Sequence, residues 1–245
     1  MCPADVIAPN GAVWKTWPAR SRAQVVFFLG EQPAAERVAR RLFQRPLAPW
    51  EYAGLTGAPA GARVEVGASR GTLYIEMGDD DAACRAYFYV RGAGAQLVLI
   101  NDGFRILVRH RQGRGLGSHI LLRQVENAAA LHVGRIETVA GRRRDENGYY
   151  TWPRLGFDGD LPARVRSRLP SELRRSRTVL DLMEDDLGRR WWRDRGATIR
   201  LAFDLAPDSR SRAVLDRYVR EKQNATNGPK TNLENPAASA YPVAR

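Results

Sequence analysis

The sequence predicts an α/β fold of the α+β kind, a mixed but mostly antiparallel sheet flanked by helices. Three observations predict it. Between Arg63 and Arg109 the runs "RVEVG", "TLYIEM", "CRAYFYVR", "AQLVLI" and "FRILVRH" are rich in β-branched and aromatic residues and are separated by turn formers, as in an antiparallel meander. Three alternate glycines, Gly113, Gly115 and Gly117, then divide the last run from a helical pattern in which Ile120, Leu121, Val125, Ala128, Ala129 and His132 share one face. A further short run, "RIETVAG" (Arg135 to Gly141), completes a strand, turn, helix and strand, which normally makes a parallel crossover.

Taken in order, residues 1 to 30 hold Trp14, Trp17 and Pro18 but no sustained period. "EQPAAERVARRLFQ" (Glu31 to Gln44) places Ala35, Val38, Leu42 and Phe43 at helical spacing with arginines opposite, which predicts an amphipathic helix. "TGAPAGA" (Thr56 to Ala62) reads as a joint, after which the period changes to two. Asn101, Asp102 and Gly103 tolerate the positive φ of a tight turn, so "AQLVLI" and "FRILVRH" are expected to form a hairpin. Beyond "GYYTWPRLGFD" (Gly148 to Asp158) an arginine-rich helical region runs from about Leu161 to Gly196 and contains "RRWWRDRG". In "TIRLAFDL", Ile199, Leu201, Phe203 and Leu205 alternate with Arg200, Ala202 and Asp204, a half-buried strand. Asp208 or Ser209 is placed to cap a last helix carrying Val214, Leu215, Tyr218 and Val219, and from Gln223 the composition reads as a disordered tail. The expected division is an extension with one helix (1–62), a domain (63–222) with a helical insertion (159–196), and the tail (223–245), with no internal repeat.

At 245 residues and 44% hydrophobic, the chain can bury a substantial core. No apolar run approaches the roughly 18 residues of a membrane span, and "AQVVFFLG" (Ala23 to Gly30) lacks the features of a secretory signal, so a soluble cytoplasmic protein with no membrane partner is expected. Cys2 and Cys84 are the only cysteines, and with His110, His119 and His132 scattered they give no disulfide framework and no metal-ligand spacing. The formal charge is +12, yet 36 of the 39 basic residues are arginine among abundant alanine and glycine, a bias that GC-rich coding also produces. The charge is spread along the chain, with "GRRRDENG" (Gly141 to Gly148) its tight cluster. Two readings stand: a solvated surface, or a face for RNA or another acidic partner.

A helix N-terminus presents unpaired amides and the positive end of the helix dipole, and glycines just before it clear the approach of a phosphate. No G-K-[ST] follows here, so this is not a nucleotide P-loop, and the glycine spacing and mid-chain position are not those of the dinucleotide fingerprint. Gln112-Gly113-Arg114-Gly115-Leu116-Gly117, between a strand and a long helix, resembles the Q/R-x-x-G-x-G/A motif of the GNAT superfamily of acyl-CoA-dependent N-acyltransferases. "RLGFD" resembles the "GF" that closes that family's next helix, and the order of elements from about Arg63 to Asp158 is similar to the family's.

The resemblance implies a GNAT-like fold that binds acetyl-CoA and transfers its acetyl group to an amine acceptor by direct attack. The pyrophosphate would rest on the amides of Gly113, Arg114, Gly115, Leu116, Gly117 and Ser118, with Gln112 and Arg114 at the rim. The backbone of Leu107, Val108 and Arg109 would pair with the pantetheine arm in a gap where this strand splays from "RIETVAG", and a backbone group near Val108 would serve as the oxyanion donor. Asn147 either caps the short helix or bonds a pantetheine amide. Where many family members place a tyrosine to meet the sulfur, four residues before the glycine of "GF", this chain has Trp152, whose indole donates a hydrogen bond but is no proton donor. Tyr150, with Tyr149 as alternative, is the expected acid; for the base, Glu76, Asp79 and Glu137 are the candidates, since "FRILVRH" holds no carboxylate. The departures at Trp152 and on the strand keep open a catalytically impaired CoA-binding or structural module. "RRWW" (Arg189 to Trp192) within the insertion keeps open a nucleic-acid-associated protein, although such a pair also anchors an amphipathic helix.

Overall fold

The computed structural model describes residues 6–7, 13–14, 23–28, 30–78, 84–92, 96–107, 112, 115–143 and 146–227. Two short strands, β1 (Val6–Ile7) and β2 (Val13–Trp14), form an antiparallel ribbon. There follow β3 (Gln24–Phe27), α1 (Gln32–Phe43), α2 (Pro49–Thr56), β4 (Arg63–Ser69), β5 (Thr72–Gly78), β6 (Cys84–Arg91), β7 (Val98–Ile106), α3 (Leu116–Ala130) and β8 (Arg135–Ala140). The last part holds α4 (Gly148–Arg154), α5 (Ala163–Arg166), a 3-10 turn (Ser171–Leu173), α6 (Val179–Met183), α7 (Asp186–Arg195), β9 (Ile199–Asp204) and α8 (Arg210–Asn227).

β3 to β9 form one seven-stranded mixed sheet in chain order, parallel only between β3 and β4 and between β7 and β8. Period-two patterning sets its faces. On β6, Cys84, Ala86, Phe88 and Val90 are buried while Arg85, Tyr87, Tyr89 and Arg91 point away, and the register aligns Ile75, Phe88 and Asn101 on the same face. That face carries α1, α2 and α3; the opposite one presents Tyr87 (40% exposed) and Val139 (59% exposed). Among the described residues no helix is long and apolar enough to cross a membrane.

Several expectations are corrected. Asn101-Asp102-Gly103 is not a hairpin turn: β7 runs straight through it, and β6 pairs with both halves. Tyr87 faces Gly103 and Phe88 faces Asn101, so Asp102 is the extra residue of a bulge, and none of the three has positive φ. Residues of this type serve turns and bulges alike, and what decided between them was the long partner strand. The α3 helix ends at Ala130, leaving His132 exposed in a left-handed conformation (φ 56°) outside the buried face. Between Gln44 and the expected joint at 56–62 lies a helix not foreseen from the sequence, α2, started by Pro49 and braced by the Glu51 carboxylate, which accepts the Ala48 amide (2.7 Å) and the Arg45 guanidinium (2.9 Å to Nη1). With β3 pairing β4 and α1 packing on it, residues 24–62 belong to the same sheet and core as the rest. The last helix is capped by Ser209, whose Oγ accepts the Arg212 amide (3.3 Å), and it runs to Asn227, past the expected start of the tail. Cys2, His110, Asp79 and the tail from residue 228 lie outside the described residues.

Candidate functional site

β7 and β8 run side by side only where Val98–Asn101 pairs with Arg135–Thr138. β7 then continues to Ile106 and β8 to Ala140 without pairing, so the two parallel strands fork. Polar groups fix the fork point. Thr138 Oγ1 donates to the Asn101 carbonyl (2.9 Å), and the Asn101 and Gln124 side chains exchange two hydrogen bonds (2.9 and 3.1 Å). Gln124 Nε2 also donates to the Leu55 carbonyl of α2 (2.9 Å). With Asn101 3% and Gln124 2% exposed, this network stands in a dry interior, where each bond is strong and each unmade bond costly, and it sets where α3 lies against the strand. The bulge at Asp102 comes next and turns Phe104 and Ile106 toward α3, where a Cβ on Gly117 would meet the Phe104 ring at 3.5 Å.

Gly115 occupies the N-cap of α3 with φ +87°, a conformation that favours glycine. Ser118 Oγ and the His119 amide both donate to its carbonyl (2.8 and 3.0 Å), which leaves the cap without a side chain over the first amides. Among the described residues, a Cβ at Gly115 would have only Ser118 Oγ nearby, at 3.8 Å, and none covers the approach to Leu116, Gly117 and Ser118. The first turn also lacks acidic residues, so nothing on it repels an anion. Gln112 Nε2 donates to the Ile106 carbonyl (2.9 Å) and ties this turn to the strand end beside exposed Leu107. Val108, Arg109, Gly113 and Arg114 lie outside the described residues.

On the other side of the fork stands α4. Asn147 is its N-cap residue, its carbonyl accepting the Tyr150 and Thr151 amides (3.0 and 2.9 Å) while its exposed side chain makes no cap bond. Tyr149 is committed elsewhere: its hydroxyl donates to the Arg193 carbonyl (2.7 Å), its own carbonyl accepts Trp192 Nε1 (2.7 Å), and Arg142 lies over its ring. Tyr150 lies beneath the Arg154 guanidinium, which also covers Tyr218 of α8; among the described residues nothing hydrogen-bonds its hydroxyl. Trp152 is the side chain that reaches β7. Its ring stands 6.2 Å from that of Phe104 and 4.9 Å from that of Phe157, which in turn meets Phe203 at 5.4 Å, so an edge-to-face ladder crosses from the fork to β9. Among the described residues its indole N–H has no partner. The "GF" turn is set by Gly156 (φ +96°), where a Cβ would come 2.2 Å from the Ser211 carbonyl.

Glu76 and Glu137 project from the face opposite α3, each beside an arginine: Glu76 by Arg85 (3.7 Å) and Glu137 by Arg135 (2.6 Å). Of the "RRWW" pair, Trp192 is fully buried and Trp191 half-buried, so the pair anchors α7. Arg142 clamps the same helix end, donating to the carbonyls of Asp194 (2.8 Å) and Gly196. Sequence reading missed the Asn101–Gln124 pair; a glutamine on the apolar face of a predicted helix was the signal that could have found it. A polar pocket of about 470 Å³ lies where the insertion meets β9, but its Asp158 carboxylate already accepts the Gly159 and Leu180 amides (2.8 and 2.9 Å) and its Arg210 already pairs with Asp181 (2.8 Å). No family model matches this sequence, and no curated protein matches it either.

Among the described residues, the fork offers a strand edge that no other strand pairs with, suited to an extended amide-bearing arm, and the α3 terminus beside it offers amides without a side-chain cap to a diphosphate. One elongated ligand with both features would fit both.

Proposed function

We propose that this chain is a GNAT-like N-acetyltransferase that binds acetyl-CoA and passes its acetyl group to an amine. The observation that carries the reading is the fork of β7 from β8 directly beside a helix that begins at a left-handed, uncapped glycine. The pyrophosphate would lie on the amides of Leu116, Gly117 and Ser118 and on the adjoining residues 113 and 114, the pantetheine would extend into the fork, and the thioester would reach the ring of Trp152. The amine attacks the acyl carbon as a free base, its proton leaves to solvent or a nearby base, and the thiolate of CoA departs. Trp152 N–H hydrogen-bonds the developing thiolate without protonating it, and Tyr150, whose hydroxyl is uncommitted, is the better proton source of the two tyrosines.

Calorimetric titration with acetyl-CoA tests the cradle. The wild type is expected to bind, and Gly115→Glu, which fills the approach and adds like charge, is expected to lose binding; unchanged affinity in the variant would refute this placement of the pyrophosphate. A second reading, a CoA-binding module without turnover, is favoured by Trp152 at the sulfur position and by the absence of a carboxylate in "FRILVRH". Release of free thiol from acetyl-CoA over an amine panel separates the two.

A further inference from the structure

Between Leu161 and Arg177 the chain carries six arginines against one carboxylate, Glu172. Leu161, Val165, Leu169 and Leu173, spaced by four, are all buried, and Pro162 and Pro170 open the two short helical turns that carry Val165 and Leu173. Burial of the anchors leaves the positions between and just after them outside: Arg164, Arg166, Arg168, Arg174, Arg175 and Arg177 are all exposed. Arg174 has Glu172 nearby; among the described residues the other five pair with no carboxylate. On the sheet, Arg63, Arg85 and Arg135 each sit beside a glutamate, Glu65, Glu76 and Glu137 respectively, while among the described residues Arg91, Arg105 and Arg200 stand singly on separate strands with no carboxylate partner. Arginines without a carboxylate partner also occur elsewhere on the surface, but this segment gathers six exposed arginines within 17 residues.

The segment is held at its neck. The Leu161 amide donates to the Arg177 carbonyl (2.9 Å) and the Val179 amide to the Gly159 carbonyl (3.0 Å). Gly159 lies so close to the Arg200 carbonyl that a Cβ would stand 2.7 Å from it, which directs the chain toward Ile199, the partner of Ala140 at the open end of the fork.

We infer that this arginine face docks the phosphate backbone of base-paired RNA. Guanidinium groups match phosphate oxygens in pairs, and an unneutralised cluster gains by releasing counterions from a polyanion. An acidic protein is disfavoured because the exposed positions between the arginines are Ala163, Ser167, Ser171 and Glu172, with no apolar centre for a protein interface. Single strands are disfavoured because no exposed aromatic lies in the segment for bases to stack on. Its helical pieces, of four and three residues, are too short to fill the major groove of DNA, whereas double-helical RNA is bound through phosphates and 2′-hydroxyls across a shallow groove. The inference stands apart from acyl transfer; if both hold, an acceptor amine carried on RNA would be delivered to the open end of the fork.

Fluorescence anisotropy on the full chain tests it, with a mixed-sequence RNA hairpin, a DNA duplex of the same sequence and polyglutamate as probes. The RNA is expected to bind most tightly, with affinity falling steeply as salt rises. The triple variant Arg164→Gln/Arg166→Gln/Arg168→Gln, checked for folding by circular dichroism, is expected to bind at least about tenfold more weakly, with a log–log salt slope reduced by about 2 to 3. Arg63→Gln/Arg85→Gln is expected to stay within about twofold of wild type, and Gly115→Glu to bind RNA normally, so that failure of the acetyl-CoA reading leaves this result intact. Equal binding by wild type and the triple variant, or equal loss in the sheet variant, would overturn the assignment to this face. Equal affinity for DNA, or tighter binding of polyglutamate, would overturn the choice of RNA.

Discussion

Gly115 and Gln124 answer different demands from the same helix. At Gly115 the demand is conformational: φ +87° costs a residue with a Cβ about 1 kcal/mol, while among the described residues only Ser118 Oγ comes within 4 Å of that Cβ. Gly115→Ala is therefore expected to lower stability by about 1 kcal/mol in urea unfolding and to weaken acetyl-CoA binding far less than Gly115→Glu. At Gln124 the demand is polar. Its amide satisfies Asn101 and the Leu55 carbonyl together, so Gln124→Leu leaves two buried groups unpaired and is expected to cost about 2–4 kcal/mol. The double variant Asn101→Leu/Gln124→Leu should cost less than the sum of the single changes, because each partner then lacks what the other would have orphaned. Additive losses would mean the two side chains are not coupled. The glycine was legible in the sequence because its type and place before a helix point to one use; the amide pair was not, since its partners lie 23 residues apart.

Among the elements, the junction of α6 with α8 carries a defined pH dependence. Burial raises the Asp181 carboxyl, but hydrogen bonds from the Thr178 and Arg177 amides and from Arg210 outweigh it and hold the group at about 2, below its ordinary 3.8. A lowered folded value means stability that is present above about pH 4 and lost as pH falls toward 2. With Asp181 partly exposed and the pair screened, the loss is expected to be about 1–2 kcal/mol. Urea unfolding at pH 7, 4 and 2.5 reads it, and Asp181→Asn should flatten that acid limb; an unchanged limb would place the acid sensitivity elsewhere. Elements also differed in how well the sequence foretold them. Alternation in "TIRLAFDL" and "CRAYFYVR" survives in β9 and β6 because each packs one face on the core. Asn101 to Gly103 misled because strand continuity there depends on β6, not on the three residues themselves.

For the molecule as a whole, one sheet runs from β3 to β9, and a single apolar cluster reaches from Ala35 in α1 to Val219 in α8. The segments before Arg63 and after Asp158 are thus expected to unfold with the centre, giving one transition in calorimetry that coincides with far-ultraviolet circular dichroism. A separate early melt of either end would show that the sheet is not one cooperative unit. The sequence by itself determined most strands after Arg63 and the helices α1, α3 and α8, though not α2: where apolar residues recur every two or every three to four positions, the chain has little choice of local structure. Only the tertiary structure decided the residue at which β7 parts from β8, the ring of Trp152 set against Phe104, and the arginine face of the insertion. Each depends on which distant segments pack together, because burying Leu161, Val165, Leu169 and Leu173 is what turns their arginine neighbours outward, and no local period records the surface they are buried against.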